Sequence, residues 1–316
     1  MNESLSRLFR ALGTMNTIVV DQAEDHACAT DALERAERRV LDLNEALSAF
    51  RPESEVSLLN ASAGCKEVFI GADTQFLLKE SKRFSRETGG AFSITTRPLS
   101  ALWELNARCG TVPSRAEIEQ ALLLVCDEDI ELDEERGTAA LQRFGQAVDF
   151  GGIAKGFAAD EVRRILLEGG VTSALINLGG TVISLGRSRN VGIQHPDRCT
   201  GIAMGRVTLC NSCAVTSGDY ERFYEVDGVR YHHILDSRTG YPSRTNLRSV
   251  TLIGDSAMEL DALSTAIFAL GAEEGLPLAE RAGAESILVT DELDVFCSEH
   301  LRENFSLLAT PQCAKA

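Results

Sequence analysis

The 316-residue chain sets 31 Lys and Arg against 47 Asp and Glu, a formal charge of −16. A field of that sign repels phosphate backbones and excludes nucleic acid as a general partner, although a local metal or a helix N-terminus still admits a small phosphorylated ligand. With 44% hydrophobic and 25% charged residues it has a globular composition, no apolar run of about 18 residues to span a membrane, and no signal-peptide core in Met1–Thr14, so the cytoplasm is the expected location.

In chain order, residues 22–49 place Ala32, Leu33, Ala36, Val40, Leu43 and Leu47 on a 3.6-residue period, which predicts one long amphipathic helix stopping before Arg51-Pro52. A second helix is predicted over Thr74–Thr88, ended by Gly89-Gly90, and a third over Ser114–Leu124 with Ser114 and Glu117 as a capping box. The acidic, Gly-broken stretch 126–145 suits a hairpin. From residue 148 the pattern changes: a short strand at Val148–Phe150, a Gly151-Gly152 turn, a helix over Ala154–Glu168, and a strand over Ser173–Asn177. Further strands are predicted at 191–195, 202–209, 223–235, Val250–Ile253 and Ser286–Thr290, with a helix over Ala257–Leu270 that ends at Gly271. Strands and helices mixed without strict βαβ alternation indicate an α+β fold. No repeat or linker divides the chain, so one domain over 1–316 is expected, with room for two lobes parting near residue 147.

Nine Cys is an odd and scattered set, unlike a disulfide scaffold. The one close pair, Cys210-Asn211-Ser212-Cys213, has no second ligand pair at zinc spacing, and reduced thiols are the expectation.

Three segments could carry chemistry. In Asp149-Phe150-Gly151-Gly152-Ile153-Ala154-Lys155-Gly156, a two-Gly turn and a Lys near a helix start read either as an anion-binding turn or as a tight turn with a surface Lys. The segment is neither a Walker A loop nor a GxGxxG fingerprint. In Tyr231-His232-His233-Ile234-Leu235-Asp236, strand alternation points the two His to opposite faces, so they do not serve one metal together. In Glu259–Thr265, Asp261 and Thr265 are i and i+4 on an otherwise apolar helix. That is either an oxygen pair for a hard cation such as Mg²⁺ or an Asp favoured by the helix dipole.

Together these segments resemble the ApbE family of FAD:protein FMN transferases. The likeness takes in Met15-Asn16-Thr17, Leu47–Asn60, Gly89–Trp103, Val148–Phe157, Asn177–Gly180, Thr216–Tyr220, His232–Pro242 and Leu260–Gly271, in the family's order over about four-fifths of the chain. The resemblance implies an α+β fold of two lobes around an FAD cleft, with Mg²⁺ as cofactor. FMN would pass from FAD to a Ser or Thr hydroxyl of an acceptor protein, releasing AMP. It further implies Met15, Phe50, Ala91, Phe92, Ser93, Asp149, Lys155 and Ile234 at the FAD site. The Gly152 carbonyl, Asp261 and Thr265 would be metal ligands, and His233 the general base.

The chain departs from the family pattern at Asn16 (usually Gly), Phe50 (usually Tyr), Ser93-Ile94 (usually Asp-Pro) and Ser237 (usually Pro). Ser93 bears on nucleotide affinity, because a hydroxyl stands where the family has a carboxylate. Two other outcomes of the same site are a protein that binds FAD without transferring it and a pyrophosphatase that gives FMN and AMP.

Overall fold

The computed structural model describes residues 4–308; Met1–Glu3 and Cys313 lie outside the described residues. The chain runs β1 (Leu5–Ala11), β2 (Thr14–Ala23), α1 (His26–Leu47), α2 (Glu55–Ala61), β3 (Val68–Phe69), α3 (Ala72–Glu87), α4 (Arg97–Cys109), α5 (Arg115–Leu122), β4 (Ile130–Asp133) and β5 (Thr138–Leu141). It continues through α6 (Ala154–Glu168), β6 (Val171–Leu178), β7 (Thr181–Leu185), β8 (Arg189–Gln194), β9 (Ala203–Leu209), β10 (Ser212–Gly218), β11 (Phe223–Val226) and β12 (Val229–His232). Last come β13 (Leu247–Gly254), α7 (Ala257–Leu270), α8 (Ala272–Arg281), β14 (Glu285–Thr290), β15 (Val295–Cys297) and β16 (Phe305–Leu307).

The predicted helices form for the predicted reasons. In α1 the residues of the apolar stripe are all buried, and Asp25 caps its start by accepting from the Cys28 N–H at 2.8 Å. The Ser114–Glu117 capping box is present in α5. α6 and α7 match their expected bounds, each ending where glycine releases the chain.

An eight-stranded antiparallel sheet, in the order β1-β2-β6-β7-β10-β13-β14-β15, organises the α+β fold. Alternation sorts its side chains onto two faces. Cys213, Val215, Val250 and Leu252 join the main core with α1, α6 and α7, whereas Ala214, Ile253 and Ile287 join Ile193 and Val207 of the small sheet β16-β9-β8. α7 is apolar nearly all round because it is enclosed by α6, β10 and β13. Among the described residues no helix is long and apolar enough to cross a membrane.

Two predicted strands differ. Val148–Phe150 joins no sheet: the Asn60 side chain takes both the Val148 N–H (2.8 Å) and its carbonyl (2.9 Å), and the Asp149 N–H goes to the Ile94 carbonyl at 2.9 Å. The stretch 223–235 is a hairpin, β11–β12, because Asp227 and Gly228 both take positive φ (52° and 75°), the geometry of a two-residue reverse turn. The β1–β2 hairpin, α2, α4, β7, β10 and α8 add elements that the sequence pattern does not announce.

Candidate functional site

The site begins where α6 crosses the start of α7. A Cβ at Gly156 would lie 2.2 Å from the Ala257 carbonyl oxygen, so only glycine lets the two backbones touch. Asp160, one turn along α6, accepts the N–H groups of Ala257 (3.1 Å) and Met258 (3.0 Å) and so caps α7 from outside. Burial pushes its carboxyl pKa up, against those same hydrogen bonds.

This crossing sets Asp261, 3% exposed, against α6. Its Oδ2 accepts the Gly156 N–H at 3.0 Å, and the Lys155 ammonium stands 3.4 and 3.5 Å from its two oxygens. Lys155 also donates to the Gly151 carbonyl at 2.7 Å. One turn beyond Asp261, the Thr265 hydroxyl donates to the Asp261 carbonyl at 3.2 Å. A Cβ on Gly152 would meet Thr265 Oγ1 and Phe92 Cε2, each at 3.3 Å. Gly152, Lys155, Asp261 and Thr265 are thus brought together from positions more than a hundred residues apart.

The donors here are one buried carboxylate, a hydroxyl and the carbonyls of a Gly-Gly turn, all hard oxygens. Lys155 already holds positive charge between a carbonyl and a carboxylate, the two oxygen types a hard divalent cation prefers, so the residues fit Mg²⁺. Among the described residues no three His, Cys, Asp or Glu converge on a metal position. A cation here would therefore take one protein carboxylate and draw on phosphate or water oxygens for the rest. Of the two readings of the Gly151-Gly152 turn, the cradle of free N–H groups is the weaker. Gly151 N–H is taken by Asp149 Oδ1 (2.8 Å), Ile153 and Ala154 by the Phe150 carbonyl, and Gly156 by Asp261. The charge the turn offers an anion is that of Lys155.

His232 and His233 diverge as alternation requires. His232 is buried, its Nε2 2.9 Å from the Ser243 carbonyl, and burial lowers its pKa. His233 is open to water at its ring surface, while the dense walls around it still desolvate its charged form. That desolvation, helped by the Arg222 cation and more weakly by Lys155, pushes the imidazole down to about 4. Its ring is therefore neutral at pH 7. Nδ1 lies 3.2 Å from the Arg222 carbonyl, which accepts a proton-bearing nitrogen and leaves Nε2 with the free lone pair.

The remaining predicted residues form a more open group. Met15 (53% exposed) begins β2 just after the Leu12-Gly13 turn, and a Cβ on Gly13 would lie 3.3 Å from an Arg222 guanidinium nitrogen. Asn16, beside it, is buried, with its amide donating to the Ala11 carbonyl at 3.1 Å. Phe50 is 62% exposed under the Arg97 guanidinium, 4.7 Å from the ring centre. Ala91, Phe92 and Ile234 are in the core, and the Ile234 carbonyl accepts the Ser243 N–H at 3.0 Å. Ser93 donates to Asp127 at 2.9 Å, and Ser237 donates to the Gly90 carbonyl, tying the His233 loop to the 89–93 turn.

Sequence reasoning passes over Arg222 and gives Ser217, inside the Thr216–Tyr220 segment, no role of its own. Ser217 Oγ lies 3.3 Å from Thr265 Oγ1 and 2.9 Å from Ser264 Oγ. Its place on the Cys213–Val215 face of β10 was readable from alternation once the strand is known. The Cys210–Cys213 pair sits at the β9–β10 turn. Cys213 is buried, donates to the Gly254 carbonyl at 3.1 Å, and is pushed up to about 12 by burial. A thiol so rarely ionised is a poor nucleophile or metal ligand.

The ApbE family model matches residues 12–288, and so spans both the Met15 turn and the α6–α7 crossing. The chain belongs to the ApbE family. An FAD:protein FMN transferase of Klebsiella pneumoniae is 38% identical over 83% of this chain and 83% of its own length. One from Treponema pallidum is 32% identical over 96% of this chain and 89% of its own. Among solved structures, the ApbE protein of Thermotoga maritima superposes with a TM-score of 0.86 at 31% identity, covering 96% of this chain and 99% of that one. The apo flavinyl transferase ApbE of Pseudomonas stutzeri gives 0.82 at 27% identity, with 96% of each chain covered.

Proposed function

We propose that this protein transfers FMN from FAD to a Ser or Thr hydroxyl of an acceptor protein, with Mg²⁺, releasing AMP. The observation that carries the reading is the meeting of Gly152, Lys155, Asp261 and Thr265 at the α6–α7 crossing. The family and the names of its relatives supply the flavin.

In the reaction the acceptor hydroxyl oxygen forms a bond to the FMN phosphorus. The bond from that phosphorus to the bridging pyrophosphate oxygen breaks, and the oxygen leaves with AMP. The Gly152 carbonyl, Asp261 and Thr265 would hold Mg²⁺, which when bound offsets pyrophosphate charge and stabilises the departing phosphate. Lys155 adds a point charge beside the phosphates, which matters in a chain of net charge −16. His233 takes the hydroxyl proton on Nε2, the nitrogen its Arg222 contact leaves free. Phe50 offers an exposed aromatic face for a flat ring, with Met15, Ala91–Ser93, Asp149 and Ile234 bordering the ligand.

The test is incubation with FAD, Mg²⁺ and an acceptor domain containing Ser and Thr, following AMP and covalent flavin. AMP with flavin on the acceptor is expected. AMP with free FMN would make the protein a pyrophosphatase, and intact bound FAD would make it a flavin carrier.

A further inference from the structure

The turn that follows Phe92 is held from outside by a carboxylate 34 residues along the chain. Asp127, 5% exposed, opens the short 3₁₀ turn Asp127–Asp129 ahead of β4. One of its oxygens, Oδ1, accepts from Ser93 Oγ (2.9 Å), the Thr95 N–H (3.0 Å) and Thr95 Oγ1 (2.7 Å). The other, Oδ2, is buried and has no partner among the described residues.

A half-satisfied buried carboxylate is costly and calls for an explanation. Ser93 is the N-cap of the 3₁₀ turn Ile94–Thr96, and an Asp at that position would cap the turn by itself. Here Ser93 Oγ itself accepts the Thr95 N–H, at 3.2 Å, but it is uncharged, and Asp127 brings a carboxylate to the same N–H and hydroxyl. The turn matters for the site on both sides. The Ile94 carbonyl holds the Asp149 N–H at 2.9 Å, and Phe92 abuts the position of Gly152.

We infer that the carboxylate serving the nucleotide-side turn stands at position 127 in this chain instead of position 93, making Asp127 a positioning residue for the Ala91–Ser93 segment. This rests on the proposed FAD site for its ligand and on the family pattern for a carboxylate at position 93, while the hold of Asp127 on the turn is the structure's own. A Ser93→Asp substitution would then set a second carboxylate against Asp127, whereas Ser93→Asp with Asp127→Ala would restore a single charge to the same donors.

The experiment is a double-mutant cycle on the full chain with two readouts, FAD affinity by flavin fluorescence and Tm by thermal unfolding, plus KM and kcat where transfer is measurable. Asp127→Ala is expected to weaken FAD binding and raise KM about tenfold, a charged hydrogen-bond set being lost, with a smaller change in kcat. Ser93→Asp alone is also expected to weaken binding and lower Tm. The double variant is expected to recover FAD affinity to within about threefold of the parent and to regain most of the Tm, the non-additivity expected of groups in one network. Asp127→Asn keeps an acceptor oxygen for the three donors and is expected to fold and fall between Asp127→Ala and the parent. Additive losses in the double variant, in either readout, would overturn the inference. Should the parent bind no FAD, the flavin reading is what fails, and the Tm cycle still decides whether the carboxylate is exchangeable.

Discussion

Asp261 and Thr265 stand on a helix enclosed by α6, β10 and β13, and Lys155 reaches them from a second helix in direct backbone contact. Met15, Phe50 and His233 sit on a strand end and two loops, all open to water. Two runs of contact join the groups. One passes from Gly13 through Arg222 to His233, whose ring also feels the Lys155 charge, the other from Phe50 through Arg97 to the turn whose Ile94 carbonyl holds Asp149. Charge placement tolerates little error, so it is built on packed helices, whereas the residues proposed to meet a large flat ligand stand on exposed turns and a strand end. The contrast predicts that substitutions in the first group damage structure and chemistry together, and those in the second damage only function.

The largest effect is expected from Gly156→Ala. Its Cβ has no room against Ala257, the helices must part, and a loss of about 3 kcal/mol is expected in denaturant unfolding, with turnover lost as well. Wild-type stability in this variant would break the comparison at its root. Asp261→Asn keeps the shape but removes the one carboxylate, and turnover at fixed Mg²⁺ should fall by on the order of 10²-fold or more while FAD affinity changes less. Equal loss of both would remove Asp261 from the cation site.

His233→Ala is expected to lower kcat roughly 10²-fold with FAD affinity and Tm nearly unchanged. A pH profile sharpens the assignment. Because the folded-state pKa lies below the ordinary 6.5, at about 4, the base stays unprotonated at neutral pH and is lost only as pH falls through about 4. The acid limb of kcat/KM should therefore lie near 4, and that of kcat higher, since bound phosphates raise the proton affinity of a neighbouring imidazole. The same shift makes protonation favour the unfolded chain, so this residue's contribution to stability falls as pH drops below 6.5. An acid limb that stays at 6.5 would point away from His233. The smallest effect is expected from Phe50→Ala, about 1 kcal/mol in FAD binding by fluorescence titration and none in Tm, because the ring touches solvent and Arg97 and no core. A lowered Tm would place Phe50 in the structural group.

What the sequence disclosed follows the same division. Local rules sufficed for α6 and α7, whose apolar runs end at glycines, and for the divergence of His232 from His233. The Asp261–Thr265 pair was readable as a face because i and i+4 coincide on a helix. Its meaning was not, since that depends on Lys155 arriving from a segment 106 residues away. Gly156 looked like any helical glycine, as nothing nearby in sequence shows the backbone of α7 lying against it. Asp127 gave no local sign either, its partners being 32 and 34 residues back. The roles proposed for Met15, Phe50 and Ile234 came from the family likeness, for an exposed Met or Phe carries no chemistry of its own to announce.

The sheet order sets β2 beside β6, so Asn16 pairs with Leu178 and Ile18 with Ile176, across some half of the chain. A ribosome adds about 5–20 residues each second. Asp261 therefore leaves it roughly 5 to 20 s after Lys155. During synthesis the hairpin bearing Met15 waits without its sheet neighbour, and the ammonium waits without its carboxylate. Long-range pairings of this kind form late and together. Assembly of the α6–α7 crossing is thus a property of the finished chain, and any truncation before α7 leaves a protein with neither the crossing nor the carboxylate it positions.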